Sequence, residues 1–215
     1  MTEAELRAWA EATGVGVTED GWARLDRLLG LWRQYGRAMN LVGSTDPDAL
    51  REHVQEGLQC VACVERVRPV DAACCWVDVG SGGGLPGLVV AAVRACLVVL
   101  VEPRARRAAF LDLGIASIGV GSGRVIRARW GDSTWNEVAA AGVEPRDETE
   151  FYILSSRAVF GAETWLEEAS RATLTRGIVL CHVELGSERV GEKKPSTVVR
   201  GPRWGVMGFL VGSEG

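Results

Sequence analysis

From Val77 to Gly87 the chain reads Val-Asp-Val-Gly-Ser-Gly-Gly-Gly-Leu-Pro-Gly. This is a buried-strand pattern that ends in an acid and runs straight into a glycine-rich turn. Such a turn suits a ligand, because glycine has no Cβ to block close approach to the backbone and tolerates positive φ. A second acid, Glu102, follows the apolar run Leu97 to Val101. A carboxylate about 20 residues after the turn, at the end of the next strand, can accept both hydroxyls of a ribose. The glycines alone would fit a purely structural turn. Combined with a strand-end acid, they point to a nucleotide-like ligand held by Asp78, Gly80, Gly82, Gly84, Leu85 and Glu102.

Two such ligands compete. A dinucleotide needs a third small residue where the turn opens into a helix, so that the pyrophosphate meets the helix N-terminus; Leu85 stands there instead, and Pro86 constrains the turn. Asp78, directly before the glycines, suits a cationic, amino-acid-bearing ligand better than a pyrophosphate. S-adenosylmethionine meets both conditions. Trp130 is a candidate for stacking on its adenine. Arg157 follows the apolar run Phe151 to Leu154, and a guanidinium at the carboxyl end of a strand faces the ligand crevice of an α/β sheet.

The elements that must position these residues are legible in the pattern. Residues 1–68 read as helical: Thr2 with Glu5 resembles a capping box, Trp22, Leu25, Leu28, Leu29, Trp32 and Tyr35 recur at helical spacing, and Asp46-Pro47 starts a third helix with the stripe Leu50, Val54, Leu58, Val61. From Cys74 onward, β-prone runs (75–79, 97–101, 123–128, 151–154, 177–183) alternate with helix-like segments, the mark of a parallel sheet covered by helices. Residues 197–200 and 206–211 could close the chain as a hairpin. Pro69 to Ala73 is the expected junction, giving a helical subdomain over 1–68 and an α/β domain over 69–215.

Composition narrows the class. With 215 residues, 47% hydrophobic and 24% charged, the chain is long enough for a sizeable core and reads as an ordinary globular protein. No apolar run approaches the roughly 20 residues needed to span a bilayer, and no signal-type start is present, so the expectation is a cytoplasmic protein without membrane attachment. The six cysteines lie in apolar surroundings, and Cys60 and Cys63 have no second pair or nearby histidine at zinc-ligand spacing, so no metal is expected. Net charge is -4, yet Arg104, Arg106, Arg107, Arg124, Arg127 and Arg129 crowd between Glu102 and Asp132 against three acids. That stretch is either a solvated helix face or a surface for an anion or nucleic acid.

The segment from Asp78 to Gly87 resembles the DVGSGxGLPG signature of the RsmG (GidB) methyltransferases, which methylate N7 of one guanine in bacterial small-subunit (16S) ribosomal RNA. Other segments resemble that family in the same order: Trp32 with Asn40-Leu41, His53, Glu102 with Arg106-Arg107 and Phe110-Leu111, Arg129 with Asp132, and Ser156-Arg157-Ala158. Glu56-Gly57 stands where the family has an aspartate-serine pair. The resemblance covers roughly residues 25–185. It implies a class I (Rossmann-like) S-adenosylmethionine-dependent methyltransferase sheet behind a helical subdomain. The cofactor contacts it implies are Gly80, Leu85, Glu102, Trp130, Gly131 and Arg157, with Arg157, Asn40 and His53 placing the guanine.

On the same reading Arg104, Arg106, Arg107 and Arg129 hold RNA phosphates, the partner is ribosomal RNA, and the protein is expected to act as a monomer. Guanine N7 carries a free lone pair and loses no proton on methylation, so orientation rather than a general base would supply the acceleration. The alternatives are a related methyltransferase with another substrate, or a cofactor-binding protein without catalysis.

Overall fold

The computed structural model describes residues 1–131, 138, 151–172 and 176–212. Among them the chain forms helices α1 (Glu3–Ala12), α2 (Glu19–Tyr35), α3 (Pro47–Glu65), α4 (Gly87–Val93), α5 (Ala105–Ile118) and α6 (Ala162–Ala172). The strands are β1 (Cys74–Val79), β2 (Leu97–Val101), β3 (Gly123–Ile126), β4 (Phe151–Ser156), β5 (Arg176–Val183), β6 (Thr197–Arg200) and β7 (Gly205–Gly212).

Local chemistry sets the helix starts. The capping box closes in both directions at α1, where the Thr2 hydroxyl accepts from the Glu5 N–H and the Glu5 carboxylate accepts from the Thr2 N–H. Thr18 caps α2 through the Gly21 N–H. Asp46 caps α3 through the N–H groups of Asp48 and Ala49, with Pro47 in the first turn, where its missing N–H costs nothing.

The strands build one seven-stranded sheet in the order β3-β2-β1-β4-β5-β7-β6. β1 to β5 pair in parallel, and β7 runs antiparallel between β5 and β6. The terminal hairpin is therefore present, but its second strand, not its first, joins the sheet. All six residues of β1 are buried, because helices cover both faces. Alternate residues part accordingly. Cys74 and Trp76 join Val98, Leu100, Ile153 and Leu180 in an apolar layer shared with α1 to α5. Cys75, Val77 and Val79 join Val99, Leu154 and Val179 in the opposite layer, under Trp165 and Leu166 of α6. The first three helices thus share their core with α4, α5 and the sheet. All six cysteines are buried, none is in a disulfide, and they are spread through both layers. Among the described residues no helix is long and apolar enough to cross a membrane.

Candidate active site

The strand order reverses direction between β1 and β4, and the carboxyl ends of those strands flank the crevice where open α/β sheets take ligands. The loop after β1 fills one side of it. The N–H groups of Gly80 and Ser81 both donate to the Val101 carbonyl at the end of β2 (2.8 and 3.1 Å), and the Trp32 indole N–H of α2 donates to the Gly83 carbonyl (2.7 Å). The loop is clamped from the sheet below and from the helical layer beside it.

Its glycines do different work. Gly80, Gly82 and Gly84 all take positive φ (72°, 54° and 88°). A Cβ at Gly80 would lie 2.2 Å from Val159, and one at Gly84 would lie 2.3 Å from Leu88, so these two are required by the protein's own packing. A Cβ at Gly82 would meet nothing closer than 3.6 Å. Of the three, only Gly82 has room for a Cβ, so its glycine is not required by the protein's own packing. Leu85 is buried.

Asp78, expected to face a cationic ligand, has no solvent exposure. Its Oδ1 accepts from the Ser155 hydroxyl (2.9 Å), whose oxygen in turn accepts from the Trp76 indole N–H (2.9 Å), and its Oδ2 accepts from the Gly87 N–H (3.2 Å). The acid ties the strand end to the start of α4, so its carboxylate is engaged internally rather than exposed to a ligand. Burial pushes its pKa up to about 6, against the hydrogen bonds from Ser155 and Gly87. The raised value means that the folded chain favours protonated Asp78, so its contribution to stability falls as pH rises from about 4 to about 6 and stays low above. Asp78→Asn keeps an acceptor for Gly87 and removes this loss. In urea melts its stability relative to the parent should climb across that window, by up to about 3 kcal/mol. A pH-independent difference would show that burial does not raise the pKa of this acid.

Glu102 does stand at the end of β2 beside the loop. It is almost fully buried, with Oε2 accepting from the Gly82 N–H (3.1 Å) and Oε1 from the Arg104 N–H (2.9 Å). Each carboxylate oxygen can accept more than one hydrogen bond. Trp130 is half-buried and packs edge to face with Trp165 (5.8 Å), which stacks on Phe160 (5.7 Å). Gly131 is exposed, with open space where a Cβ would be. Asp132 lies outside the described residues.

Arg157 follows β4 directly and is followed by Ala158 at φ 58°, a left-handed conformation that costs a non-glycine residue about 1–2 kcal/mol. That turn delivers the guanidinium to the carboxylate of Glu56 on α3, with Nη2 2.6 Å from Oε2. His53, one turn earlier on α3, has Nδ1 3.6 Å from the same oxygen, and its ring meets Trp32 edge to face at 6.5 Å. The neighbouring His53 and Arg157 outweigh burial and hold the Glu56 carboxyl below its ordinary range. His182, on β5, completes the group with Nε2 3.6 Å from Cys60 Sγ; burial and the Arg157 charge push its pKa down to about 4, leaving it neutral. Sequence reading missed Glu56 and His182 as site residues.

The other expected residues divide. Asn40 is exposed at φ 51°, a conformation asparagine accepts more readily than most residues. Its backbone carbonyl accepts from Arg107 Nη2 (2.9 Å). Arg107, expected on RNA phosphates, is half-buried and serves as a strut between α5 and the segment before α3. Arg104, Arg106 and Arg129 are exposed.

A family profile described as GidB, rRNA small subunit methyltransferase G, matches residues 22–183. The chain belongs to this family. Curated relatives described as ribosomal RNA small subunit methyltransferase G include a Salinispora arenicola protein, 50% identical over 90 residues (41% of this chain, 35% of that protein). A Rhodopseudomonas palustris protein is 40% identical over 115 residues (52% and 48%), and one from Moorella thermoacetica is 25% identical over 185 residues (85% and 72%). The chain thus spans between about a third and a half of the first two relatives. Two solved structures share the fold of this GidB-family chain. An RNA methyltransferase from Salinibacter ruber in complex with S-adenosyl-L-homocysteine matches with TM-score 0.53 at 14% identity, over 80% of this chain and 95% of that one. MtNAS in complex with MTA and tNA matches with TM-score 0.55 at 16% identity, over 86% and 71%. The fold is that of class I methyltransferases.

Proposed function

We propose that this GidB-family chain is a cytoplasmic, monomeric S-adenosylmethionine-dependent methyltransferase acting on N7 of a guanine in small-subunit ribosomal RNA, with the helical layer of residues 1–68 as a subdomain of the α/β unit. The observation that carries the reading is the pairing of Glu102 with the Gly82 N–H at the end of β2. It sets a carboxylate beside the one unobstructed glycine of a loop whose sequence is the family's signature. The residues fit the cofactor: Gly82 and Gly131 have room where a Cβ would stand, Glu102 has acceptor capacity for ribose hydroxyls, and the half-buried Trp130 is the ring expected to stack on the adenine. When bound, S-adenosylmethionine supplies an electrophilic methyl group. The protein's part is to hold the guanine in line with it. Arg157 and His53 stand on the β4 and α3 side of the crevice for this task, and no side chain has to remove a proton from N7.

Binding of S-adenosylhomocysteine, together with transfer of a tritiated methyl group to small-subunit RNA, tests the reading. Binding without transfer would favour a cofactor-binding protein or another substrate.

Arg104 and Arg106 are exposed at the start of α5 and form the rim expected to meet phosphates. Replacing both with Gln should weaken RNA binding regardless of sequence and reduce the slope of log affinity against log salt by about 2, because each lost phosphate contact removes about one released counterion. Cofactor affinity should barely change. If RNA affinity and slope both persist in filter binding at several salt concentrations, the two arginines are a solvated face.

A further inference from the structure

We propose that Glu56 and Arg157 together read the guanine base, Glu56 accepting from its N1–H and N2 amino groups while Arg157 donates to O6. The inference rests on the base-methylation reading above and assigns its specificity.

A buried carboxylate is a poor way to stabilise a fold. Removing it and its partner from water costs about what their attraction returns, so such a pair calls for another reason to exist. Here the pair joins two distant parts of the chain, α3 and the turn after β4, at the crevice. The Glu56 side chain is 10% exposed and that of Arg157 is 29% exposed, so neither is sealed off completely and neither is immersed in water. Oε2 of Glu56 faces Arg157 and His53. Oε1 enters no ion pair or hydrogen bond among the described residues. Close by, Ser156 Oγ at the end of β4 is buried without a hydrogen-bond partner.

The backbone that carries Glu56 cannot drift. Gly57 lies so close to α4 that a Cβ there would sit 2.6 Å from that of Val89, which fixes the height of α3 over the crevice. An anion and a cation side by side, both pre-positioned, match one face of guanine. Its N1–H and N2 amino groups donate and O6 accepts, whereas adenine offers an acceptor at N1 and donors at N6. Adenine in the same place would turn its lone pair toward the carboxylate and its amino group toward the guanidinium. Sites built from buried polar groups reject such mismatches strongly, because each wrong base leaves a group unpaired. With the Watson–Crick edge held this way, N7 stays clear of the carboxylate.

The test uses the full chain saturated with S-adenosylhomocysteine, titrated calorimetrically with guanosine 5′-monophosphate and adenosine 5′-monophosphate. The parent protein should prefer the guanine nucleotide at least tenfold, and Glu56→Gln should bring the preference within twofold. Should Glu56→Gln fail to fold, as judged by thermal melting, Glu56→Asp decides: it keeps the charge but withdraws it by one methylene, and the preference should fall severalfold. A parent with no preference, or variants that retain it in full, overturns the proposal. Methyl transfer to small-subunit RNA, measured alongside, separates the two readings. Transfer by a parent that shows no Glu56-dependent preference keeps the proposed reaction and overturns this pocket. A Glu56-dependent preference without transfer keeps the pocket and overturns the ribosomal substrate.

Discussion

Gly82→Val should yield a folded protein that no longer binds S-adenosylhomocysteine, whereas Gly84→Ala, the milder change by size, should destabilise the chain itself. The difference lies in what each glycine faces. At Gly82 a Cβ makes only ordinary contacts, with the Arg107 guanidinium and the Gly80 carbonyl, both at 3.6 Å, so the folding cost is the strain of a β-branched residue at φ 54°, about 1–3 kcal/mol. The valine methyls then stand where a ligand must approach the backbone. At Gly84 the added methyl would lie 2.3 Å from Leu88 Cδ1 and 2.6 Å from its Cγ. Leu88 is fully buried and cannot withdraw. Overpacking adds about 1–3 kcal/mol to the strain of φ 88°. Calorimetric titration and thermal melting of the two variants check both halves. Parent-like affinity in folded Gly82→Val would show that the cofactor does not approach this loop.

Glu102→Ala is expected to weaken S-adenosylhomocysteine by about 1.5–3 kcal/mol, roughly ten- to a hundredfold, the range for hydrogen bonds to a charged group. From the sequence alone no comparable loss of stability is expected in the unliganded protein. The structure corrects this: the carboxylate also receives the Gly82 and Arg104 N–H groups, and leaving these donors without their acceptor costs about 1–3 kcal/mol each where water cannot replace it. Affinity and melting temperature should therefore fall together. A drop in melting temperature with affinity intact would make Glu102 a loop anchor only.

Most elements could be read from the chain because their signals are local. The cap at Thr2, the Asp46-Pro47 start and the apolar runs of β1 to β5 each declare themselves within a few residues. What escaped depends on which side of a covered strand faces what. β1 is buried on both faces, so its pattern has no alternation to show that Asp78 turns inward to Ser155 and Gly87. The glycines at 80 and 84 look like ligand residues in sequence, yet their neighbours Val159 and Leu88 are supplied by a later turn and by the next helix. Glu56 reads as a departure from the family's aspartate-serine pair. Only the packing of α3 beside the end of β4 reveals that it meets Arg157, a contact between residues with no shared periodicity. The placement of β7 between β5 and β6 was equally silent, since a hairpin pairs the same way whichever strand joins the sheet.

The six buried cysteines, none in a disulfide, give the native chain a built-in clock for its own opening. Cys60 and Cys63 lie in α3, Cys74 and Cys75 in β1, Cys96 just before β2 and Cys181 in β5, and all are buried. Burial raises the pKa of Cys63, Cys96 and Cys181 to about 12, so little reactive thiolate exists at neutral pH while the fold is closed. A thiol-alkylating reagent therefore marks each segment only when it detaches from its layer. The order in which the helix, the central strand and the later strand become labelled would map the hierarchy of partial unfolding without a single engineered probe.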